Sequence, residues 1–239
     1  MAPQPRSLES DQSISQEIGW AEVPDGVELR LIQRGDAFAI LLEDTALMST
    51  LVSASEEALA IMTAQRLGRF EGQQWLIGGY GMGYTLRAAL AELSADAGVT
   101  LAEIVPAIIE WARGPMRELT AGCLDDSRVM LVEDDVAMLI DAARGAYDAI
   151  LLDVDNGPEG ITRLDNDYLY STPGLKAARR ALKPGGILAV WSCEPFPGFT
   201  IRLRRAGFAV EMAGVRERAG DLGAHHVIWF AQNPVAGTV

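Results

Sequence analysis

Cysteine is scarce in this sequence. The 239 residues include two, Cys123 and Cys193, far apart and without the paired spacing of a zinc site. That excludes a disulfide scaffold as the organising principle, and no metal is expected. Neither cysteine has a neighbouring His to activate a thiolate, so reduced thiols in a cytoplasmic setting are the expectation. Positive charge is short as well: 20 Lys and Arg face 33 Asp and Glu, a net charge of −13. Such a field repels phosphate backbones and anionic lipid, so neither nucleic acid nor membrane is expected as a partner. A cationic small molecule, such as an amine, is compatible with it. Long hydrophobic runs are missing too. No stretch reaches the roughly 18 to 20 uninterrupted apolar residues of a membrane span, and the polar N-terminus lacks the apolar run of a signal peptide. What remains is ordinary globular composition, 49% hydrophobic, enough for a sizeable core.

The polar N-terminal segment reads as a flexible tail over residues 1–19. Residues 20–70 read as a small β segment plus a helix. In it the runs VELRLI (27–32) and AFAILL (37–42) flank a Gly-Asp turn, a hairpin signal. The stretch SEEALAIMTAQRL (55–67) follows, with acids at its start and Gly68 past its end, which suits a helix. From about residue 71 to 233, apolar runs alternate with helical stretches, the βαβα rhythm of a parallel sheet with helices on both faces. The last two strands, near 208–212 and 225–231, suit an antiparallel edge pair, and 234–239 form a second tail.

Gly78-Gly79-Tyr80-Gly81-Met82-Gly83 lies between a predicted strand and a predicted helix, where glycines let the backbone turn sharply and approach a ligand. The spacing departs from G-x-G-x-x-G, so a bound pyrophosphate is not indicated. Glu103 ends the next strand, roughly 20 residues on, where it either accepts hydrogen bonds from ribose hydroxyls or stands solvated. Asp135 and Asp153 follow the third and fourth strands. Carboxylates at the C-terminal ends of successive parallel strands converge on the sheet edge where open α/β folds bind ligands.

Five segments in order, WLIGGYGMGYTLR, AEIVP, RVMLVEDDVAML, YDAILLDVDNGPEG and ALKPGGILAV, resemble the spermidine synthases, or polyamine aminopropyltransferases. The wider resemblance is to class I S-adenosylmethionine-dependent methyltransferases. It covers about residues 72–195, and the N-terminal β segment more loosely. It implies a doubly wound, mostly parallel, seven-stranded Rossmann-like α/β sheet over 71–233, binding an S-adenosyl ligand. By this resemblance Gly79, Gly81 and Gly83 face the amino-acid or aminopropyl part of the donor, Glu103 holds the ribose and Asp135 lies near the adenine amino group. Asp153 matches the first aspartate of the family's D-S-x-D-P loop, beside the reacting nitrogen. A homodimer is implied as well.

Three departures stand out. Met82 replaces the aspartate that binds the donor's amine in the synthases. The second loop aspartate has no aligned partner: Asp155 stands one residue early, followed by Asn156. The Tyr-His-Glu signature of the N-terminal part is absent, and Ser55-Glu56-Glu57-Ala58 stands about where it belongs. Tyr80, Tyr84 and Trp191, with Met82, either surround the reacting centre and a less charged acceptor, or pack the loop against the sheet.

The resulting expectation is transfer of an alkyl group, aminopropyl by resemblance, from S-adenosylmethionine or its decarboxylated form to an amine. Asp153 and Asp155 would be catalytic. Gly79, Gly81, Met82, Gly83, Glu103 and Asp135 would bind the donor, and Tyr80, Tyr84, Asn156 and Trp191 the acceptor. Two alternatives stand beside it: a methyltransferase using intact S-adenosylmethionine on a small molecule, and a non-catalytic ligand-binding or interaction module on the same fold.

Overall fold

The computed structural model describes residues 15–23, 26–154, 157–158, 167–218 and 222–235. Asp155 and Asn156 lie outside the described residues. Two sheets are present. The first is a four-stranded antiparallel meander of β1 (Gln16–Glu22), β2 (Glu28–Arg34), β3 (Ala37–Leu42) and β4 (Thr45–Ser49). The hairpin read from VELRLI and AFAILL is β2–β3. Strand β1 begins at Gln16, inside the segment read as a tail, because its pairing with β2 satisfies its backbone although most of its side chains stay exposed.

Helix α1 (Ala54–Leu67) leads into the second sheet, whose strands run in the spatial order β10-β11-β9-β8-β5-β6-β7. These are β5 (Gln74–Gly78), β6 (Gly98–Ala102), β7 (Val129–Val132), β8 (Tyr147–Leu152), β9 (Leu182–Ser192), β10 (Ala209–Arg218) and β11 (Leu222–Gln232). The pairs among β5 to β9 are parallel, and β11 is antiparallel to both its neighbours. This is the doubly wound, seven-stranded α/β sheet, with the antiparallel pair at its edge. The central strands are continuous apolar runs because both faces are covered.

Strand parity sorts the core into two layers. Trp75, Ile77, Ala149, Leu151 and Ala189 pack on one side with α1, α2 (Tyr84–Glu92) and α3 (Pro106–Arg113). Leu76, Ile150, Leu188 and Val190 pack on the other with α5 (Val136–Ala142), α7 (Thr172–Ala181) and α8 (Pro197–Arg205). Between these helices run two single turns, α4 (Arg117–Thr120) and α6 (Asp167–Tyr170). The meander belongs to the first layer: Leu31 and Ile40 are fully buried in the same cluster as α1 and α3. Among the described residues no helix is long and apolar enough to cross a membrane.

In the second layer Phe199 is fully buried and meets Tyr170 and Trp229 edge-on, at centroid distances of 5.7 and 5.2 Å. Removing this ring strips both neighbours of a packed partner. Phe199→Ala is expected to cost about 3–5 kcal/mol in denaturant unfolding; a loss under about 1 kcal/mol would show that the layer repacks freely.

Candidate active site

The site starts at the end of β5, where the sheet order reverses between β6 and β8. Gly79 N–H donates to the Ala102 carbonyl at 2.9 Å, and Asp153 N–H donates to the Gly78 carbonyl at 3.0 Å. Gly79 has φ +86°, and a Cβ there would collide with the Asp153 carbonyl oxygen, so only glycine lets the two chains approach this closely. The crevice at this reversal opens into a cavity. Its floor is the C-terminal sheet edge, and its opposite wall is the meander, through Val23, Leu29, Ile40, Leu47 and Met48. Met48 lies directly over Gly81, where a Cβ would come within 2.5 Å of its sulfur.

Glu103 lines the cavity but is 5% exposed. Its two carboxylate oxygens accept hydrogen bonds from the Tyr80 and Val105 N–H groups, each at 2.9 Å. It therefore ties the glycine loop to the end of β6 rather than standing solvated. Burial pushes its carboxyl up, against the pull of those backbone donors. Asp135, also in the lining, caps α5 by accepting from Ala137 N–H at 2.8 Å, and Asp134 beside it accepts from Asp135 N–H at 2.7 Å.

Asp153 Oδ2 lies 2.7 Å from the Thr85 hydroxyl, which is also 3.2 Å from the backbone carbonyl of Glu56. Thr85 thus joins the end of β8 to the first turn of α1. The Glu56 side chain lines the same cavity, and its Oε2 accepts from the Ser55 hydroxyl at 2.5 Å. Burial pushes both carboxyls up. For Asp153, burial and then the charge of Glu56 raise it to about 7, with the Thr85 hydrogen bond opposing. One hydroxyl serves either state: it donates to an ionised Asp153, or accepts from a protonated one and turns its own proton to the Glu56 carbonyl.

Trp191 forms part of the wall and stacks on His226 at 4.8 Å between ring centroids. Among the described residues, Trp191 Nε1 and His226 Nδ1 are buried side-chain atoms without a hydrogen-bond partner. His226 Nε2 lies 3.7 Å from Glu217.

The cavity thus gathers Gly79, Gly81, Glu103, Asp135, Asp153 and Trp191 of the residues singled out from sequence. Met82, Gly83, Tyr80 and Tyr84 are not in its lining. Tyr80 is 4% exposed and points into the first layer, its hydroxyl 3.5 Å from Cys123 Sγ and packed under Gly83. Tyr84 is half-buried with Arg87 across its ring. Sequence reasoning missed Glu56 and Thr85. Glu56 was visible only as an acid in the first turn of a helix, at the place of the absent signature. Thr85 carried no signal. Ionisable side chains in the described lining are acids alone, Glu56, Glu103, Asp134, Asp135 and Asp153. Among the described residues no group of three His, Cys, Asp or Glu is arranged to hold a metal.

The family model described as "Spermine/spermidine synthase domain" matches residues 69–196, more than half of the chain. A polyamine aminopropyltransferase of Mycobacterium tuberculosis is 32% identical over 144 residues, covering 56% of this chain and 27% of the relative. Polyamine aminopropyltransferase 1 of Streptomyces coelicolor is 37% identical over 123 residues, covering 51% and 22%. The chain thus spans about a quarter of the length of these curated relatives. In overall shape it is similar to the crystal structure of spermidine synthase from Thermotoga maritima, with a TM-score of 0.73 and 18% identity over 97% of this chain and 83% of that one. A spermidine synthase solved with the transition-state analogue AdoDATO gives a TM-score of 0.72 at the same identity and coverage.

A carboxyl whose pKa rises on folding from about 3.9 to about 7 binds its proton more tightly in the native state. Its stabilising contribution is complete below about pH 4 and is lost as pH rises through 7. Asp153→Asn, which cannot ionise, should therefore gain on the wild type as pH goes from 4 to 8 in denaturant titrations. Parallel stability curves for the two proteins would contradict the buried-acid assignment.

Proposed function

The chain belongs to the spermine/spermidine synthase family, and from that premise we propose that it transfers an aminopropyl group from decarboxylated S-adenosylmethionine to an amine. The observation that carries this reading is the all-acid cavity: Glu56, Glu103, Asp134, Asp135 and Asp153 with no Lys, Arg or His in the described lining. A donor bearing a sulfonium and an ammonium, and an acceptor that arrives as an ammonium, both gain from such a field. The donor of intact S-adenosylmethionine reactions brings a carboxylate, which would add a further negative charge. That donor remains the second reading because Met82, 4% exposed, stands where the resemblance expects a donor-binding aspartate.

Glu103 and Asp135, at the ends of β6 and β7, are the residues to hold the nucleoside. Glu103 has its carboxylate fixed by two backbone donors, so its orientation is set before ligand binds. Gly79 and Gly81 leave space for the reactive chain. When bound, the donor supplies a carbon activated by sulfonium that is displaced as a neutral thioether. Asp153 orients the attacking amine and takes its proton, since a protonated amine has no lone pair to attack with. A carboxyl that ionises near pH 7 is matched to that exchange. Trp191 adds an aromatic ring to the lining of the same cavity.

Calorimetric titration with decarboxylated S-adenosylmethionine, intact S-adenosylmethionine and methylthioadenosine tests the donor. Preference for the decarboxylated form is expected; preference for the intact form would make the chain a methyltransferase, and binding of none would refute an adenosyl site. In a coupled assay for methylthioadenosine release with an amine present, Asp153→Asn is expected to lower kcat about 10²–10⁴-fold. Undiminished turnover would remove Asp153 from the proton transfer.

A further inference from the structure

Thr85 is the second residue of α2 and is 2% exposed, so its hydroxyl must find its partners inside the protein. A helical threonine ordinarily meets that need by donating back to a carbonyl three or four residues earlier. The Thr85 hydroxyl instead reaches two other elements, Asp153 Oδ2 at the end of β8 at 2.7 Å and the Glu56 carbonyl in the first turn of α1 at 3.2 Å. Both are acceptors when Asp153 is ionised, and the hydroxyl has one proton to give. Asp153 lines the cavity and Thr85 does not, so what Thr85 does to a bound reactant passes through the residues it holds.

We propose that Thr85 is a positioning residue for Asp153: its hydroxyl holds Oδ2, leaves the other carboxylate oxygen for the nucleophile, and turns to the Glu56 carbonyl once Asp153 has taken a proton. The proposal rests on the aminopropyl-transfer reading and adds a residue to its proton-transfer step. In that step an N–H bond of the attacking ammonium breaks, its electron pair stays on nitrogen for the attack on carbon, and the proton arrives on the free Asp153 oxygen. The Thr85 proton changes acceptor without leaving its own oxygen, so nothing else is gained or lost. The buried donor is paired before and after the transfer, and the change of charge at Asp153 needs no rearrangement of the chain.

The elements joined by this hydrogen bond are fixed independently of it. Asp153 is held through its own N–H by the Gly78 carbonyl, and α2 starts directly after a loop whose Gly79 and Gly83 have φ of +86° and +74°. The branch at Cβ leaves Thr85 few χ1 choices in a helix, which keeps Oγ1 aimed at the place where β8 and α1 meet. Among the described residues no other side chain donates to Asp153. The charged groups that share the described lining with it are acids: Glu56 from α1, Glu103 from the end of β6, and Asp134 and Asp135 from the end of β7. His226 of β11 offsets Glu56 and already lies against Glu217. Burial and Glu56 thus work against an ionised Asp153, and the Thr85 hydroxyl works for it. The ionised form is the one that can accept a proton.

Thr85→Val keeps the shape and removes the hydroxyl, and Thr85→Ser keeps the hydroxyl; Thr85→Ala replaces Thr85→Val, with the same expectations, if that variant does not fold. The first readout is methylthioadenosine release from decarboxylated S-adenosylmethionine with 1,4-diaminobutane or a series of primary monoamines, from pH 6 to 9. The ratio of variant to wild-type kcat/KM cancels the titration of the amine itself. Loss of the hydroxyl should move the acid limb up by about one pH unit, lowering kcat/KM about tenfold at pH 6 and about twofold or less at pH 9. Thr85→Ser should restore the limb, and methylthioadenosine affinity should stay the same in every variant. The second readout needs no substrate: the unfolding constant of Thr85→Val relative to wild type should rise about tenfold between pH 5 and 9. In an Asp153→Asn background that rise should vanish. A ratio that is the same at every pH in either readout, or a Thr85→Ser as impaired as Thr85→Val, overturns the assignment of Thr85. Full activity of Asp153→Asn instead refutes proton transfer by Asp153. Absence of release by the wild type with every amine refutes the aminopropyl-transfer reading, and the role of Thr85 in it, whatever the unfolding ratio shows.

Discussion

The peptide at the end of β5 is divided between two neighbours. Its carbonyl is held by the Asp153 N–H and the next N–H is spent on Ala102, so β5 is pinned to β8 on one side and β6 on the other at the point where the chain must leave the sheet. Only a left-handed glycine can follow, and the loop that results aims the Tyr80 N–H at Glu103. That one crossing sets the spacing of the Glu103 and Asp153 carboxylates, and with it the size of what can lie between them. The rest of the site is assembled around this fixed pair: α2 begins just beyond the loop and supplies Thr85, and α1 arrives across it with Glu56.

Charge and shape are divided between the two sheets. The C-terminal edge of the parallel sheet supplies Glu103, Asp134, Asp135 and Asp153, all backbone-anchored or held at strand ends, while the meander supplies aliphatic side chains and the Met48 thioether. The linking helix α1 supplies the remaining acid. A ligand in this cavity therefore meets electrostatic recognition on one side and steric recognition on the other. The stability cost of gathering buried acids is borne by the two packed layers, in which the tryptophans Trp75 and Trp229 are completely enclosed.

Much of the parallel sheet was legible because buried central strands leave a simple trace: WLIG, VTLA and AILL are unbroken runs with few polar residues, and acids directly after the last two, Glu103 and Asp153, must converge at one edge. Strands β1 and β4 left no such trace. Their residues are mostly exposed or half-exposed, Trp20 at 63%, and pairing rather than burial makes them strands. In the site, the strand-end acids could be read from chain order alone. Glu56 and Thr85 could not, since their meeting with Asp153 depends on how α1 and α2 pack over the first layer. The aromatics divide for a related reason, Trp191 lining the cavity and Tyr80 and Tyr84 standing outside the lining. Tyr80 sits in the glycine loop beside residues that line the cavity, yet its ring turns inward because Gly83 has no side chain to block it and Cys123 lies beneath.

The contact between Met48 and Gly81 joins two pieces of chain with separate hydrogen-bond networks. The meander closes its own backbone pairing and shares only side-chain packing with the large sheet at this point. Exchanging Leu47 or Met48 for smaller or polar residues would reshape the chamber and leave the strand-end acids untouched. The charge of the chamber and its shape are thus set by separate pieces of the chain, so the shape can be altered one side chain at a time without moving an acid.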